Sequence, residues 1–230
     1  MNDFKSKELE LRQNLCSLGE YMLDRQLAWG NSGNISARLS ENKMIITGSG
    51  TDLGQLSPSD LVQVDIEKME WEGTLKPSKE IPMHSEIYKH RPDANVILHA
   101  SPFWSTMMSC TNIPYASELF VESMYYLERV TYVDYFHPGS QMLGTAVGEK
   151  SKEAHIIILR NHGVIVFDTS IKEARMALET LEMASRMIIM ARTGGLSLQT
   201  LSSDVAADFL NNAGYKPRRA LYTVNERLGK

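Results

Sequence analysis

Cysteine is nearly absent: Cys16 and Cys110 stand alone and far apart in a chain of 230 residues. Two lone cysteines build neither a disulfide framework nor a thiolate zinc site. Both read as small core residues in a reducing compartment. Long apolar runs are missing as well. The longest aliphatic stretch is Ile156-Ile157-Ile158-Leu159, far short of the ~20 residues that cross a bilayer. The opening MNDFKSKELE is polar and holds no apolar run of the kind a secretory leader needs. The expectation is a soluble, cytoplasmic protein with no membrane partner. Positive charge is also short. A formal net charge of −4 argues against a nucleic-acid partner, which requires a basic footprint. The one basic cluster, Lys216-Pro217-Arg218-Arg219, is expected to be a solvated tail. Repeats, low-complexity segments and linkers are lacking too. With 43% hydrophobic and 23% charged residues, the chain reads as one globular domain over residues 1–230.

What is present alternates between helix and strand patterns. Leu11, Leu15, Leu18 and Met22 recur at helical spacing, which predicts an amphipathic helix over about 6–28. The run Trp29-Gly30-Asn31-Ser32-Gly33-Asn34 breaks it. Residues 44–47 and 61–64 read as short strands, with Gly48-Ser49-Gly50 as a tight turn between them. Ser57-Pro58 reads as a cap followed by a first-turn proline. A helix is expected from Pro82 to before Pro92, then a buried strand, Asn95-Val96-Ile97-Leu98, ending at His99. Further helices are expected after Pro102 and over 140–151, with a strand at 130–133 between them. The strand from His155 to Arg160 turns through Asn161-His162-Gly163 into Val164-Ile165-Val166-Phe167. Ser170 and Glu173 form a capping-box pattern ahead of a long helix to about Arg192. Hairpin-linked strands alongside helix-separated strands imply a mixed α/β sheet with helices on both faces.

Polar groups cluster where strands are expected to end. His99 and His162 each follow an apolar strand, and Glu80 precedes a helix. Side chains there are held rigidly yet face outward. Two imidazoles and a carboxylate form a three-ligand set with open positions, suited to zinc, manganese or iron(II). The turns at Gly33-Asn34-Ile35-Ser36 and Thr47-Gly48-Ser49-Gly50 offer backbone N–H groups that can nest an anion. Ser78 and Lys79 can join them, Lys79 as a point charge.

In order along the chain, six stretches resemble the class II aldolase/adducin family. They are Gly33-Asn34-Ile35-Ser36-Ala37-Arg38, Ile46-Thr47-Gly48-Ser49-Gly50, Lys76-Pro77-Ser78-Lys79-Glu80, Arg91-Pro92-Asp93-Ala94 through His99, Pro138-Gly139-Ser140, and Asn161-His162-Gly163. The resemblance implies a three-layer α/β/α sandwich around a mixed, largely antiparallel sheet. It implies a homotetramer with active sites at subunit interfaces. It also implies a metal-dependent carbon–carbon lyase, cleaving by retro-aldol reaction or decarboxylation. The implied substrate is a small phosphorylated sugar or hydroxy-keto acid, and the reaction runs through a metal-stabilised enediolate. Glu80 matches the family acid/base, and His99 and His162 match two of three zinc histidines. Gly33, Asn34, Ser49, Gly50 and Ser78 match its phosphate pocket.

Three positions depart from that pattern. Ser101 stands where the family places a third histidine, two residues after His99. Glu80 is then expected to complete the ligand set; His84 or His137 moving in, or loss of the metal, are the other resolutions. Lys79 stands where sugar-phosphate aldolases often carry serine. Phe120 stands near the place of a tyrosine proton donor, with Tyr125 and Tyr126 as candidates to replace it. A non-catalytic adducin-like oligomeric module and a sugar-phosphate epimerase are the alternative functions.

Overall fold

The structure, a computed structural model, describes residues 2–219. Its elements run α1 (Asn2–Asp24), β1 (Asn34–Ser40), β2 (Lys43–Thr47), β3 (Leu61–Asp65), α2 (Ile81–His90), β4 (Val96–Ala100), α3 (Phe103–Ser109), α4 (Val121–Tyr126), β5 (Val130–Val133), α5 (Gln141–Ser151), β6 (Ile156–Leu159), β7 (Gly163–Asp168), α6 (Ile171–Thr193) and α7 (Ser203–Asn212). The seven strands form one sheet in the order β3-β2-β1-β4-β7-β6-β5. Every pairing is antiparallel except β5 with β6. That parallel pair needs a crossover, and α5 supplies it.

Strand alternation sorts the apolar side chains into two cores. Ile35, Ala37, Val96, Leu98, Ile156, Ile158, Val164 and Val166 pack against Leu15, Leu18 and Met22 of α1 and the Ala177–Leu181 face of α6. The opposite side chains, Met44, Ile46, Ile97, Ile157, Leu159, Ile165 and Phe167, pack against Met83, Ile87 and Tyr88 of α2 and Leu143 and Val147 of α5. The expected three-layer sandwich is therefore the observed one. The run Ile156–Leu159 is fully apolar because β6 is covered on both faces, with residues serving the two cores in turn. Each such side chain stabilises the fold by roughly 1.5–3 kcal/mol.

Several local expectations need correction. The first helix ends at Asp24, not near residue 28; Gln26 takes a left-handed φ of 57° that no helix tolerates. Residues 34–36 are not part of a turn. The turn closes at Gly33 (φ 88°), and Asn34 already begins β1, pairing with His99 of β4. Cys110 is exposed rather than in a core, because α3 ends one residue before it; Cys16 is half-buried. Only half of the Ser170 capping box forms. Ser170 Oγ accepts from Glu173 N, while the Glu173 carboxylate binds Lys216 Nζ at 2.8 Å. The ammonium offers the carboxylate a full opposite charge, where the cap would offer only a backbone N–H. For the same reason residues 216–219 are not a solvated tail. Lys216 sits over the Tyr126 ring, and Arg219 Nη2 binds Asp168 Oδ2 at 2.5 Å. Among the described residues, no helix is long and apolar enough to cross a membrane.

Candidate metal centre and anion cleft

One end of the sheet gathers the polar residues. It holds the start of β1, the end of β2, the end of β4 and the hairpin between β6 and β7. In register, His99 lies beside Asn34 on one side and Ile165 on the other. Alternation puts His99 on the same face as Ile97, which is the face that α2 covers. Glu80 is the N-cap residue of α2, so it arrives above His99. An isolated bridge between Gly48 and Pro77 ties the segment before α2 to the end of β2. It is reinforced by bonds from Ser78 N to Thr47 O (2.9 Å) and Ser49 N to Lys76 O (2.8 Å).

His162 occupies the β6–β7 turn. Gly163 follows it with φ 151°, and a Cβ there would lie 2.6 Å from Ala100 O. Only glycine lets this turn lie against β4, which brings the two imidazoles to 4.8 Å between ring centroids. Gly33 plays a like part on the other side, where a Cβ would fall 2.7 Å from His99 O.

Glu80 sits between the histidines. Its Oε2 lies 3.2 Å from His99 Nε2, and its Oε1 lies 3.3 Å from His162 Nε2. His99 Nδ1 donates to Val164 O at 3.0 Å. With Nδ1 committed to Val164 O, Nε2 is the nitrogen that faces the carboxylate. A proton on Nε2 or a metal ion between the two groups satisfies both at that distance. Glu80 Oε1 is buried and has no hydrogen-bond partner, a costly state for a carboxylate oxygen unless an ion is present. All three ligand atoms lie within 4.8 Å of one another. Tetrahedral ligands at zinc–ligand distances of ~2.05 Å stand about 3.3 Å apart, close to the two Glu80–histidine spacings of 3.2 and 3.3 Å. The residues present therefore fit a divalent metal.

The electrostatics agree. Burial alone would push Glu80 up, but His99, His162 and the bond from Asn34 outweigh it and leave the carboxyl below its usual range. Burial lowers His162 to about 4, so its imidazole is neutral and available as a ligand at neutral pH.

An open cleft of about 600 Å³ adjoins this cluster. Gly33, Asn34, Ser49, Gly50, Ser78, Lys79, Glu80, His99 and His162 all line it. The sequence-predicted residues are thus brought together. The Asn34 side chain, however, is turned inward, donating from Nδ2 to Glu80 Oε2 at 2.7 Å. Neither proposed substitute histidine joins the ligand cluster. His84 is buried beneath the cleft, and His137 is exposed beside Tyr135. Ser101 lines the cleft, with its Oγ donating to His162 O at 3.4 Å. Phe120, Tyr125 and Tyr126 do not line it; Tyr125 and Tyr126 pack under residues 215–219 instead. Trp29, read from sequence only as part of a helix-breaking run, is a cleft residue. It is exposed at the rim and donates from Nε1 to Ser101 O at 3.0 Å. A tryptophan in a Gly/Asn/Ser run was the signal available for it.

Comparison with known proteins agrees with this geometry. The family model for the Class II Aldolase and Adducin N-terminal domain matches residues 13–189. The 3-oxo-tetronate 4-phosphate decarboxylase of Escherichia coli (strain K12) is 29% identical over 194 residues, covering 83% of this chain and 91% of that one. The L-fuculose phosphate aldolase of Methanocaldococcus jannaschii is 30% identical over 169 residues, covering 74% and 90%. The crystal structure of YgbL from Klebsiella pneumoniae superposes with a TM-score of 0.81 at 28% identity, covering 88% and 98%.

Proposed function

Because the chain belongs to the class II aldolase and adducin family, we propose that it is a divalent-metal-dependent carbon–carbon lyase. Its substrate in this reading is a small phosphorylated 3-oxo acid, which it decarboxylates. The observation that carries the reading is the Glu80–His99–His162 cluster, with a buried, unpartnered carboxylate oxygen at the floor of an anion cleft. Similarity to 3-oxo-tetronate 4-phosphate decarboxylases extends over 83–92% of this chain in the three E. coli and Haemophilus relatives. That supports decarboxylation over retro-aldol cleavage. The 30% identity to an L-fuculose phosphate aldolase supports the second reading.

His99, His162 and Glu80 would hold the metal. When bound, it supplies a Lewis acid that draws electrons from a substrate carbonyl. Zinc suits the two-nitrogen, one-carboxylate set best, and manganese and iron(II) are compatible. The Ser49 and Ser78 hydroxyls, the Gly50 and Lys79 N–H groups and the Lys79 ammonium bind the phosphate, since the Ser49 and Ser78 N–H groups are taken by Lys76 O and Thr47 O. In decarboxylation the bond to the carboxylate carbon breaks, carbon dioxide leaves, and the electron pair stays on the carbon beside the 3-oxo group. That carbon then takes a proton. The proton comes from solvent in the cleft, and Glu80 is the group placed to relay it, its Oε1 taking the proton up and passing it on while Oε2 is held by Asn34. The protein is further proposed to be cytoplasmic and to assemble as a homotetramer with its clefts at subunit interfaces. The exposed apolar side chains Phe103, Met142, Met183 and Leu196 suit burial against other copies.

The test is metal analysis of protein purified without chelator, with carbon dioxide release from 3-oxo-tetronate 4-phosphate and aldehyde release from L-fuculose 1-phosphate. Stoichiometric metal with turnover is expected. Glu80→Gln should lower turnover by roughly 10²–10⁴-fold, as for loss of a general acid–base, and weaken metal retention. Wild-type protein with neither metal nor turnover would overturn the reading.

A further inference from the structure

Behind Glu80 lies a line of buried polar side chains that the metal centre does not use. Ser36 of β1 and His84 and Tyr88 of α2 are buried to 2% exposure or less. Asn34 and Ser36 alternate with Ile35 and Ala37 of the opposite core, so both point to α2. His84 and Tyr88, four residues apart, share the helix face that meets them. The contacts are continuous. Tyr88 Oη lies 2.9 Å from Ser36 Oγ, and Ser36 Oγ lies 2.7 Å from His84 Nδ1. His84 Nε2 lies 2.6 Å from Asn34 Oδ1, and Asn34 Nδ2 lies 2.7 Å from Glu80 Oε2.

Only one direction of donation satisfies this line. An ionised carboxylate accepts and never donates, so Asn34 must give it an N–H and keep Oδ1 as acceptor. His84 must then carry its proton on Nε2. Burial holds this imidazole neutral, with its pKa pushed down to about 3, so Nδ1 is bare. Ser36 must therefore donate to Nδ1, and its oxygen is free to accept from Tyr88. Every link has one donor and one acceptor. In the other histidine tautomer Asn34 would have to turn its amide. Its carbonyl would then face the Glu80 carboxylate at hydrogen-bond distance, acceptor against acceptor.

We propose that Tyr88, Ser36, His84 and Asn34 form a directional hydrogen-bond chain that fixes the orientation of the Glu80 carboxylate, with Ser36 and His84 as its positioning residues. Pinning Oε2 fixes where Oε1 sits, 3.3 Å from His162 Nε2. The role assigned to Glu80 rests on the lyase reading above; the polarity of the chain does not. Partners behind a ligating or acid–base group commonly change affinity or rate by ~10–100-fold when removed.

Histidine ¹⁵N spectra of the protein as purified, with whatever metal it holds, test the polarity directly. His84 should show a protonated Nε2 and a bare Nδ1. A proton on Nδ1 overturns the proposal. Ser36→Ala should leave the proton on Nε2, which Asn34 fixes, but free the imidazole ring to shift, and lower kcat by about 10–100-fold, with KM within about threefold. Tyr88→Phe should change kcat by less than about threefold, because Ser36 still donates to His84. Ser36→Thr, which keeps the hydroxyl, should retain the wild-type tautomer and covers the case in which Ser36→Ala does not fold. A folded Ser36→Ala with wild-type kcat overturns the proposal. Failure of the lyase reading shows separately, as wild-type protein without metal or turnover, and the tautomer measurement still decides the polarity.

Discussion

Acid should destabilise this protein through a histidine that has no part in the cleft. His155, just ahead of β6, is 4% exposed and donates from Nε2 to Tyr126 O at 2.9 Å. Burial, then Arg219 and Arg91, hold its pKa well below the ordinary value. The folded state therefore takes up fewer protons there than the unfolded chain as pH falls from 7 towards 5. The unfolded chain takes them up with a pKa near 6.5. Where the unfolded state binds more protons, stability rises with pH. It must accordingly fall as pH drops below about 6.5. Protonating one unfolded histidine is worth about 0.2 kcal/mol at pH 7 and about 2 kcal/mol at pH 5. His155→Gln keeps an N–H for Tyr126 O and removes the titration. Urea unfolding at pH 7, 6 and 5, at fixed protein concentration and metal loading, should show wild type losing about 2 kcal/mol more than the variant between pH 7 and pH 5. The metal centre is common to both proteins and cancels in the difference. Parallel loss in the two proteins would show that the folded state protonates His155 with little penalty, and the reasoning would fail.

Two further outcomes probe other parts of the structure. Gly163→Ala places a Cβ 2.6 Å from Ala100 O at φ 151°; it should cost about 1–3 kcal/mol in strain, lower Tm and reduce metal content by displacing His162. Unchanged metal content would show that the turn does not set the His162 position. Lys216→Met removes the partner of Glu173, a pair about one-quarter exposed; the cost should be only about 1 kcal/mol, yet trypsin should cut at Arg218 and Arg219 faster than in wild type. An unchanged cleavage rate would mean that the ion pair does not hold this segment down.

The sequence by itself determined what short-range physics controls. The apolar run at 156–159 had to be a strand covered on both faces. Ser140 and Ser170 had to start helices, because their hydroxyls satisfy free N–H groups three residues on. Six stretches in order pointed to the family, and with it to His99, His162 and Glu80. Tertiary structure alone decided the rest. Asn34 was read as turn chemistry, since nothing local shows that β1 will lie between β2 and β4. Once it does, the register with His99 aims its side chain at Glu80 and away from an anion. Ser36 was read as turn chemistry and His84 as a possible replacement ligand, and nothing joined them to Tyr88, because a hydrogen-bond chain between a strand and a helix some fifty residues apart leaves no periodic signal in either. The fate of Glu173 and of Lys216–Arg219 was likewise a contest between a local cap and a distant charge. The distant charge prevailed because it pairs the carboxylate with a full opposite charge, where the cap offers only a backbone N–H. Local pattern sets which elements form and which face is apolar; which polar groups meet is set by strand order and register, and those exist only in the folded chain.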